Sequence, residues 1–267
     1  MVKIKTIKTA GILGIMMIIM LPTYLPTDQQ EKSLFGQFMS ANRNFEQGKK
    51  YFYKNKIKQA EKDLKKCLEK YPEHADAFFY LSQIYYKKGR LQEALRCIEN
   101  AENNLDVMIN LIRNYKEVEI RKYRKQKNEL EQYLQEVNIL TEEAGCDGQR
   151  YRPSLESELI EIHEKIENLI NQLNHLSSNS KHIRADYTYF YGNILFKLKK
   201  FSEAQEKYLQ AIQLNPKHKN AYNNLINLYT LAGHYKKAHL FLSQAEDRGV
   251  EVNQELKRAV LKSLKQK

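Results

Sequence analysis

Hydrophobic and polar positions follow a helical rhythm over much of this 267-residue chain. In the window that starts at Ala75, apolar residues recur every three or four positions, as on one face of an amphipathic helix. Two such stripes follow each other, Phe78, Leu81 and Tyr85 and then Leu91, Leu95 and Ile98. The pattern predicts two helices joined by a tight turn. An all-β fold is disfavoured because turn residues are scarce, with only 10 Gly and 5 Pro.

The helical pair returns with a period of 34 residues. Copies start at Ala41 and Ala75, and two more copies, again 34 residues apart, occupy residues 185–250. Small residues recur where the helices of a pair would meet, and two copies end in proline; these residues are Gly48, Ser82 and Gly192, then Pro72 and Pro216. A generic helical bundle, the alternative, has no need of a fixed long period. The sequence therefore predicts an all-α repeat array with two pairs of copies.

One position in each copy falls in the turn between the two helices. Gly89 and Gly233 hold it in the second and fourth copies, and Asn55 holds it in the first. A helix that stops there favours a left-handed backbone, which Gly adopts without steric cost and Asn tolerates. We predict the same conformation, with mild strain, for Lys199 in the third copy.

The recurring aromatic, Gly, Tyr, Ala and Pro positions make each copy similar to a tetratricopeptide repeat (TPR). The resemblance covers residues 41–106 and 185–250. It departs from the family pattern at Ile226, where Gly is usual, and in the absence of Trp, whose place Phe78 and Tyr222 take. The fourth copy also lacks the closing Pro. The resemblance implies a stack of helical pairs, closed by a capping helix that we place in residues 251–267.

In the TPR family, the first helix of each copy lines a concave groove that binds an extended peptide or a partner helix. By this resemblance the groove side chains are Phe45, Lys49, Phe52 and Tyr53, then Phe79, Gln83, Tyr86 and Lys87, then Tyr189, Asn193, Phe196 and Lys197, and finally Asn223 and Asn227. Aromatic side chains supply contact area and Asn can bind a peptide backbone. Alternatively, some of these aromatic side chains belong to the hydrophobic core rather than to the groove. The family's carboxylate clamp is incomplete, because Tyr189 and Gln254 stand where it has lysines.

Residues 107–184 do not fit the period. The return segment carries a heptad seam, Leu159, Ile162, Ile166, Leu169, Leu173 and Leu176. Turn residues within 145–153 separate it from a polar helical segment before it, so we expect an antiparallel coiled-coil hairpin. Pairing between two chains, as in a homo-oligomer, is the alternative, since one seam does not distinguish the two.

The N-terminal segment has the pattern of an export signal. Three lysines precede an apolar run over residues 10–21, which is short for a membrane span of ~20 residues. We interpret residues 1–27 as a signal or uncleaved membrane anchor and residues 28–40 as a linker. A cleaved signal and a buried helix of a cytosolic protein are the alternatives. The anchor reading predicts a bacterial inner-membrane protein with its body on the periplasmic side.

Lys and Arg exceed Asp and Glu by 44 to 32, a net charge of +12. One basic patch comprises Arg121, Lys122, Arg124, Lys125 and Lys127. In the expected hairpin this patch would lie opposite the nearly neutral residues 171–177, so internal pairing would not explain it. Anionic lipid or an acidic partner would suit it. Solvated surface lysines are the alternative, and nucleic acid is not expected.

The sequence does not point to enzyme activity, a cofactor or a metal site. His163 and Glu164 begin a zinc-protease pattern, but Glu167 stands where its second His belongs. Three scattered cysteines exclude a disulfide framework, and Cys67 and Cys97 fall in small-residue packing positions. No phosphate loop, dinucleotide fingerprint or nucleophile elbow is present.

These patterns together predict a non-enzymatic protein-interaction scaffold of the bacterial envelope, which binds partner peptides or helices and supports assembly of an envelope complex. A cytosolic TPR adaptor or chaperone for one client is the alternative. A binder of anionic lipid or nucleic acid is the less favoured third class.

Overall fold

The computed structural model describes the backbone of residues 25–144 and 152–265, and the side chains of residues 33–135 and 154–264. Every regular element in these ranges is an α-helix, which confirms the predicted all-α class. The helices are α1 Leu25–Tyr53, α2 Ile57–Lys70, α3 Ala75–Lys87, α4 Leu91–Ala144, α5 Arg152–Lys197, α6 Phe201–Leu214, α7 Lys219–Leu231, α8 Tyr235–Asp247 and α9 Gln254–Lys265.

Consecutive helices form the four predicted pairs. Helix α1 packs on α2, α3 on the start of α4, the end of α5 on α6, and α7 on α8. The apolar stripes of the first two pairs bury one core, and those of the last two pairs bury a second core that α9 closes. Val252 and Val260 of this last segment are buried against the second core.

The turns inside the pairs have the predicted left-handed backbone. The φ angles are 57° at Asn55, 73° at Gly89, 64° at Lys199 and 72° at Gly233. The strain expected at Lys199 is therefore present, because a side chain with a Cβ disfavours this region.

Small residues bring the two helices of a pair close together at Gly48 and Gly192. A Cβ at Gly48 would lie 2.9 Å from Cγ of Leu64, and one at Gly192 would lie 2.6 Å from Cε1 of Tyr208. Each glycine thus leaves room for a large side chain of the facing helix. Ile226 holds the same position in the fourth copy. It is fully buried, so this copy has a large side chain where the others have a small one.

Two buried histidines begin the first helices of the second and fourth copies. Nδ1 of His74 accepts a hydrogen bond from the backbone N–H of Ala77 at 3.3 Å, and Nδ1 of His218 accepts one from Ala221 at 3.1 Å. Such bonds satisfy N–H groups that have no partner within the helix. Burial lowers the pKa of His74 to about 4, so its ring is neutral and acts as an acceptor.

Helix α1 begins well before the first repeat. Residues 28–40, expected to be a linker, lie inside this helix. The ring of Phe35 stacks on Tyr115 of α4 with centroids 3.6 Å apart, and Phe38 is buried against Tyr71 and His74. The extension is therefore a structural part of the array.

The inserted hairpin is continuous with the repeats. Helix α4 runs from the second copy into the hairpin without a break, and the last turns of α5 are the first helix of the third copy. The expected boundaries at residues 107 and 184 therefore lie within helices. Tyr187 stacks on Phe79 with centroids 4.4 Å apart, so the third copy packs on the second despite the insertion.

The hairpin pairs within the chain. Ile120 of α4 is buried against Ile162 and Ile166 of α5, and Leu169 and Leu173 of the predicted seam flank this cluster. The turn expected within residues 145–153 lies largely outside the described residues. Helices α4 and α5 thus pair in the antiparallel arrangement that the predicted hairpin requires.

The register of the hairpin differs from the expectation for the basic patch. Nε2 of Gln126 lies 3.5 Å from Oε1 of Glu158, and the ammonium of Lys165 lies 5.8 Å from the ring centroid of Tyr123. The patch thus lies beside the glutamate-rich start of α5 rather than beside residues 171–177. The expectation failed because heptad spacing sets which residues face each other but not how far one helix slides along the other.

The predicted signal or anchor, residues 1–24 in the main, lies outside the described residues. Among the helices of the described ranges, none combines the length and the apolar character that crossing a membrane requires.

Candidate functional site

The first helices of the four copies lie side by side and form one surface, which we call the groove face. It consists of residues 41–53 of α1, helix α3, the end of α5 and helix α7. Aromatic contacts join neighbours across it, with ring centroids 5.7 Å apart for Phe45 and Tyr80 and 5.3 Å apart for Tyr86 and Phe190. The groove face carries two hollows that are open to solvent.

The first hollow has a volume of about 420 Å³ and lies on the first two copies. Its floor is aromatic and includes Phe45, Phe79 and Tyr80. The base of the hairpin forms one wall through Met108 and Ile112, and the extension of α1 forms another. The insertion thus helps to shape the hollow, although it lies outside the repeats.

Charged groups line the rim of this hollow. The hydroxyl of Tyr187 donates a hydrogen bond to Oδ1 of Asp76. Burial raises the pKa of Asp76, and the Tyr187 bond and Lys49 oppose that rise. Lys49 itself forms an ion pair with Glu46 at 3.5 Å. Burial also lowers the pKa of Lys116 at the hairpin base. The lining includes both acidic and basic groups, so the first hollow has no single charge preference.

The second hollow, of about 280 Å³, lies on the third and fourth copies and is polar. Nδ2 of Asn224 donates to Oδ1 of Asn193 at 2.7 Å, and the hydroxyl of Tyr208 donates to the same oxygen at 2.9 Å. Tyr189 and Asn227 complete this wall. Because bonds within the chain hold Asn193 and Asn224, the hollow presents amide groups in a preset arrangement.

Tyr208 reaches this hollow from the second helix of its pair. Its ring occupies the space left by the missing Cβ of Gly192, and its hydroxyl emerges beside Asn193. Burial raises the pKa of Tyr208, so the phenol stays neutral and can donate. Sequence reasoning missed this residue, yet the signal was present: Tyr faces Gly where the first copy pairs Leu64 with Gly48.

The structure distributes the predicted groove residues over several environments. Three line the first hollow, namely Phe45, Lys49 and Phe79, and six line the second, namely Tyr86, Tyr189, Asn193, Phe196, Lys197 and Asn227. Gln83 is half-buried on the same face. Phe45 is only 4% exposed, so most of its ring belongs to the core.

The remaining predicted groove residues are engaged within the chain. Phe52 is buried, and the ammonium of Lys87 lies over its ring, 4.2 Å from the centroid. Tyr53 is exposed, with its hydroxyl 2.8 Å from that of Tyr80. Asn223 donates to the carbonyl of Lys219 and accepts from the N–H of Asn253, at 2.9 and 2.8 Å, so it secures the segment that leads into α9.

Reactive groups are screened by packing in the described residues. Cys67 is buried and Cys97 half-buried, and burial raises the pKa of their thiols to about 12 and about 11. Cys146 lies outside the described residues. The basic patch, Arg121, Lys122, Arg124, Lys125 and Lys127, lies on α4 of the hairpin, away from both hollows. Lys125 and Lys127 form ion pairs with Glu129 and Glu131, at 3.7 and 3.6 Å.

Two family models match the chain in these regions. A tetratricopeptide repeat model matches residues 45–101, and a TPR repeat model matches residues 192–233. The chain is thus similar to tetratricopeptide repeats over these two segments. The matched segments contribute residues to both hollows, and the stretch between them contains the hairpin.

Three solved structures illustrate what this chain is similar to in fold. One is pilF of Pseudomonas aeruginosa, which is 16% identical over 86% of this chain and 85% of that chain, with a TM-score of 0.38. A second is PilW, described as a widely conserved type IV pilus biogenesis factor, with 15% identity, coverage of 84% and 86% and a TM-score of 0.39. A third is YrrB, described as a TPR protein with an unusual peptide-binding site, with 16% identity, coverage of 83% and 90% and a TM-score of 0.29. No curated protein sequence matches the chain.

Proposed function

We propose that this protein is a non-enzymatic scaffold whose groove face binds an extended segment of a partner protein. The observation that carries the proposal is the presence of two solvent-open hollows on one surface of the TPR array, one aromatic and one lined by amides. Aromatic floors supply apolar contact, and amides can bind both the N–H and the C=O of a peptide backbone.

The side chains of the hollows are held in place by bonds within the chain, which favours tight binding of a ligand. Asn193, Asn224 and Tyr208 hold one another by hydrogen bonds, and Tyr187 holds Asp76. Side chains that are already ordered lose little rotational freedom when a ligand arrives, so a larger part of the contact energy becomes affinity.

Site-specific crosslinking tests this proposal. A photo-reactive amino acid at Gln83 or Asn227 on the groove face should capture the same partner segment, whereas one at Lys62, exposed on α2, should not. A synthetic copy of that segment should then bind the purified protein and lose affinity in the Asn227→Ala variant. Capture that is equal at all three positions would contradict the proposal.

We extend the proposal to the envelope: the protein is held at the bacterial inner membrane, faces the periplasm and supports assembly of an envelope complex. The support is the basic-then-apolar pattern of residues 1–27. A reporter fused after Lys267 should be active only outside the cytoplasm. Activity in the cytoplasm would instead favour the alternative, a cytosolic adaptor or chaperone for one client.

A further inference from the structure

The junction between the third and fourth copies carries an apolar depression that we call the notch. It has a volume of about 480 Å³ and continues from the second hollow through Phe196 and Lys197, which line both. Its other apolar walls come from Phe201, Leu228 and Leu231. Phe201 is 49% exposed and Leu231 69%, so large apolar side chains face solvent here.

At the first junction of the array, between the first and second copies, the equivalent positions carry different side chains. There Lys87 of the second copy covers Phe52 of the first, with its ammonium 4.2 Å from the ring centroid. Leu231 occupies the equivalent position of the fourth copy, and Phe196 is the equivalent of Phe52. At the first junction a long cation shields the aromatic ring, whereas at the third junction an exposed leucine leaves the notch apolar and open.

The charge around the notch has one sign. Lys197 and Lys199 form its rim, and its described lining includes no carboxylate. Neither lysine forms an ion pair within the described ranges, whereas the neighbouring Lys200 pairs with Glu203 at 3.1 Å. In the second copy, Lys87, the equivalent of Lys197, covers Phe52, and Gly89 stands where the third copy has Lys199. The notch therefore offers apolar walls beside two uncompensated positive charges.

We propose that the notch is a specificity pocket for an acidic peptide segment that carries one bulky apolar residue. The apolar side chain, such as Leu or Phe, enters between Phe196, Phe201 and Leu231, and carboxylates next to it in the peptide pair with Lys197 and Lys199. This inference rests on the proposed function, because the occupant is the partner segment that also lies in the second hollow.

Fluorescence anisotropy with defined peptides tests the notch. The probes are short labelled peptides with a single Leu between aspartates, and matched peptides in which that Leu is Ser or the aspartates are Lys. We expect the Leu peptide to bind at least about tenfold more tightly than the Ser peptide, since burying one such side chain contributes that much affinity. The lysine peptide should bind most weakly, and added salt should weaken the acidic peptide.

Matched variants locate the effect. Leu231→Ser should reduce binding of the Leu peptide about tenfold, whereas Leu240→Ser, at an exposed leucine on α8, should leave it unchanged. Lys197→Glu and Lys199→Gly should weaken the acidic peptide and reduce its salt dependence. Thermal unfolding of each variant checks that the fold is retained, which we expect because the substituted side chains are exposed.

The outcomes separate this inference from the proposed function. Equal affinity for the Leu and Ser peptides, or equal losses in Leu231→Ser and Leu240→Ser, would overturn the notch even if crosslinking places a partner on the groove face. If Leu231→Ser loses peptide affinity and Asn227→Ala does not, the notch is supported, but a groove that continues into the second hollow is contradicted. A loss of affinity in both variants supports both the notch and the proposed function of the groove face.

Discussion

The two pairs of repeat copies share one repeat frame but present different chemistry. The first pair carries an aromatic hollow that the hairpin base and the α1 extension partly enclose. The second pair carries a polar hollow that opens into an apolar notch with a basic rim. The repeat positions are equivalent, so the difference comes from a few side chains on the paired helices, together with the hairpin base and the α1 extension at the first hollow. The frame positions the helices, and those side chains decide what each half can bind.

The largest expected effect concerns His74, the buried N-cap of helix α3 at the start of the second copy. The pKa of His74 is about 4 in the folded protein and about 6.5 when the chain is unfolded, because burial disfavours the charged ring. The stability that depends on the neutral ring is complete above pH 6.5 and is lost as the pH falls towards 4. The loss amounts to about 3 kcal/mol of unfolding free energy.

Urea unfolding at a series of pH values checks this expectation. Asn is also a good N-cap but does not titrate, so His74→Asn should lose less stability than the wild type between pH 6.5 and 4. A measurement at pH 8, where the ring is neutral in both states, records the separate cost of losing its packing. Identical pH slopes for the two proteins would show that His74 is not the titrating group.

The next effect concerns the space that Gly192 leaves for the ring of Tyr208. Gly192→Val should destabilise the protein by about 2 kcal/mol, since overpacking forces the ring of Tyr208 to move. Gly36→Val is the matched control, because a Cβ at Gly36 meets nothing within 4 Å. Adding Tyr208→Leu, which copies the fourth copy, where Ile226 and Leu242 hold the two equivalent positions in one core, should recover part of the stability. Calorimetric unfolding measures all three, and equal midpoints for the two valine variants would refute the packing argument.

A third prediction addresses the junction at which the two pairs meet. The carboxylate of Glu102 accepts hydrogen bonds from Thr188 at 2.8 Å and Lys207 at 2.7 Å, and it is only 19% exposed. Glu102→Ala should reduce the unfolding free energy by about 1–3 kcal/mol, because it leaves partly buried donors without an acceptor. Glu129→Ala removes a solvent-exposed partner of Lys125 and serves as the comparison. Chemical denaturation that finds no difference between the two would mean that this network does not stabilise the junction.

The smallest expected effect is at the turn of the third copy. Lys199 has a φ of 64°, where the first pair has Asn55 and Gly89. Lys199→Gly should stabilise the protein by about 0.5–1 kcal/mol, because Gly adopts this region without strain. Gly89→Ala should instead destabilise the protein. A shift of the melting midpoint to lower temperature in Lys199→Gly would rule out backbone strain at this turn.

Prediction from sequence succeeded where the signal was local or periodic. The helical pairs, the left-handed turn at Lys199 and the close approaches at Gly48 and Gly192 all follow from spacing and residue size. It failed for the register of the hairpin and for the linker at residues 28–40. In both cases the answer depends on contacts with distant residues, such as Phe35 with Tyr115 and Gln126 with Glu158.

The candidate site shows the same division. The first-helix positions that could line a groove follow from the repeat frame, but which of them are free does not. Phe52 is covered by Lys87 and Asn223 is engaged with the segment before α9, because neighbouring elements supply the partners. Tyr208 entered the site from a second helix, which position counting on first helices could not reveal.

The sequence by itself determined that the chain forms stacked helical pairs, because a fixed period of apolar and small residues is satisfied only when each pair packs on the next. Only the tertiary structure decided that the hairpin base walls one hollow, that Leu231 and Phe196 form an open notch, and that two lysines beside it have no acidic partner in the described ranges. The physical reason is that periodicity specifies which face of a helix is buried. The shape and charge of the remaining surface depend on which distant side chains meet there.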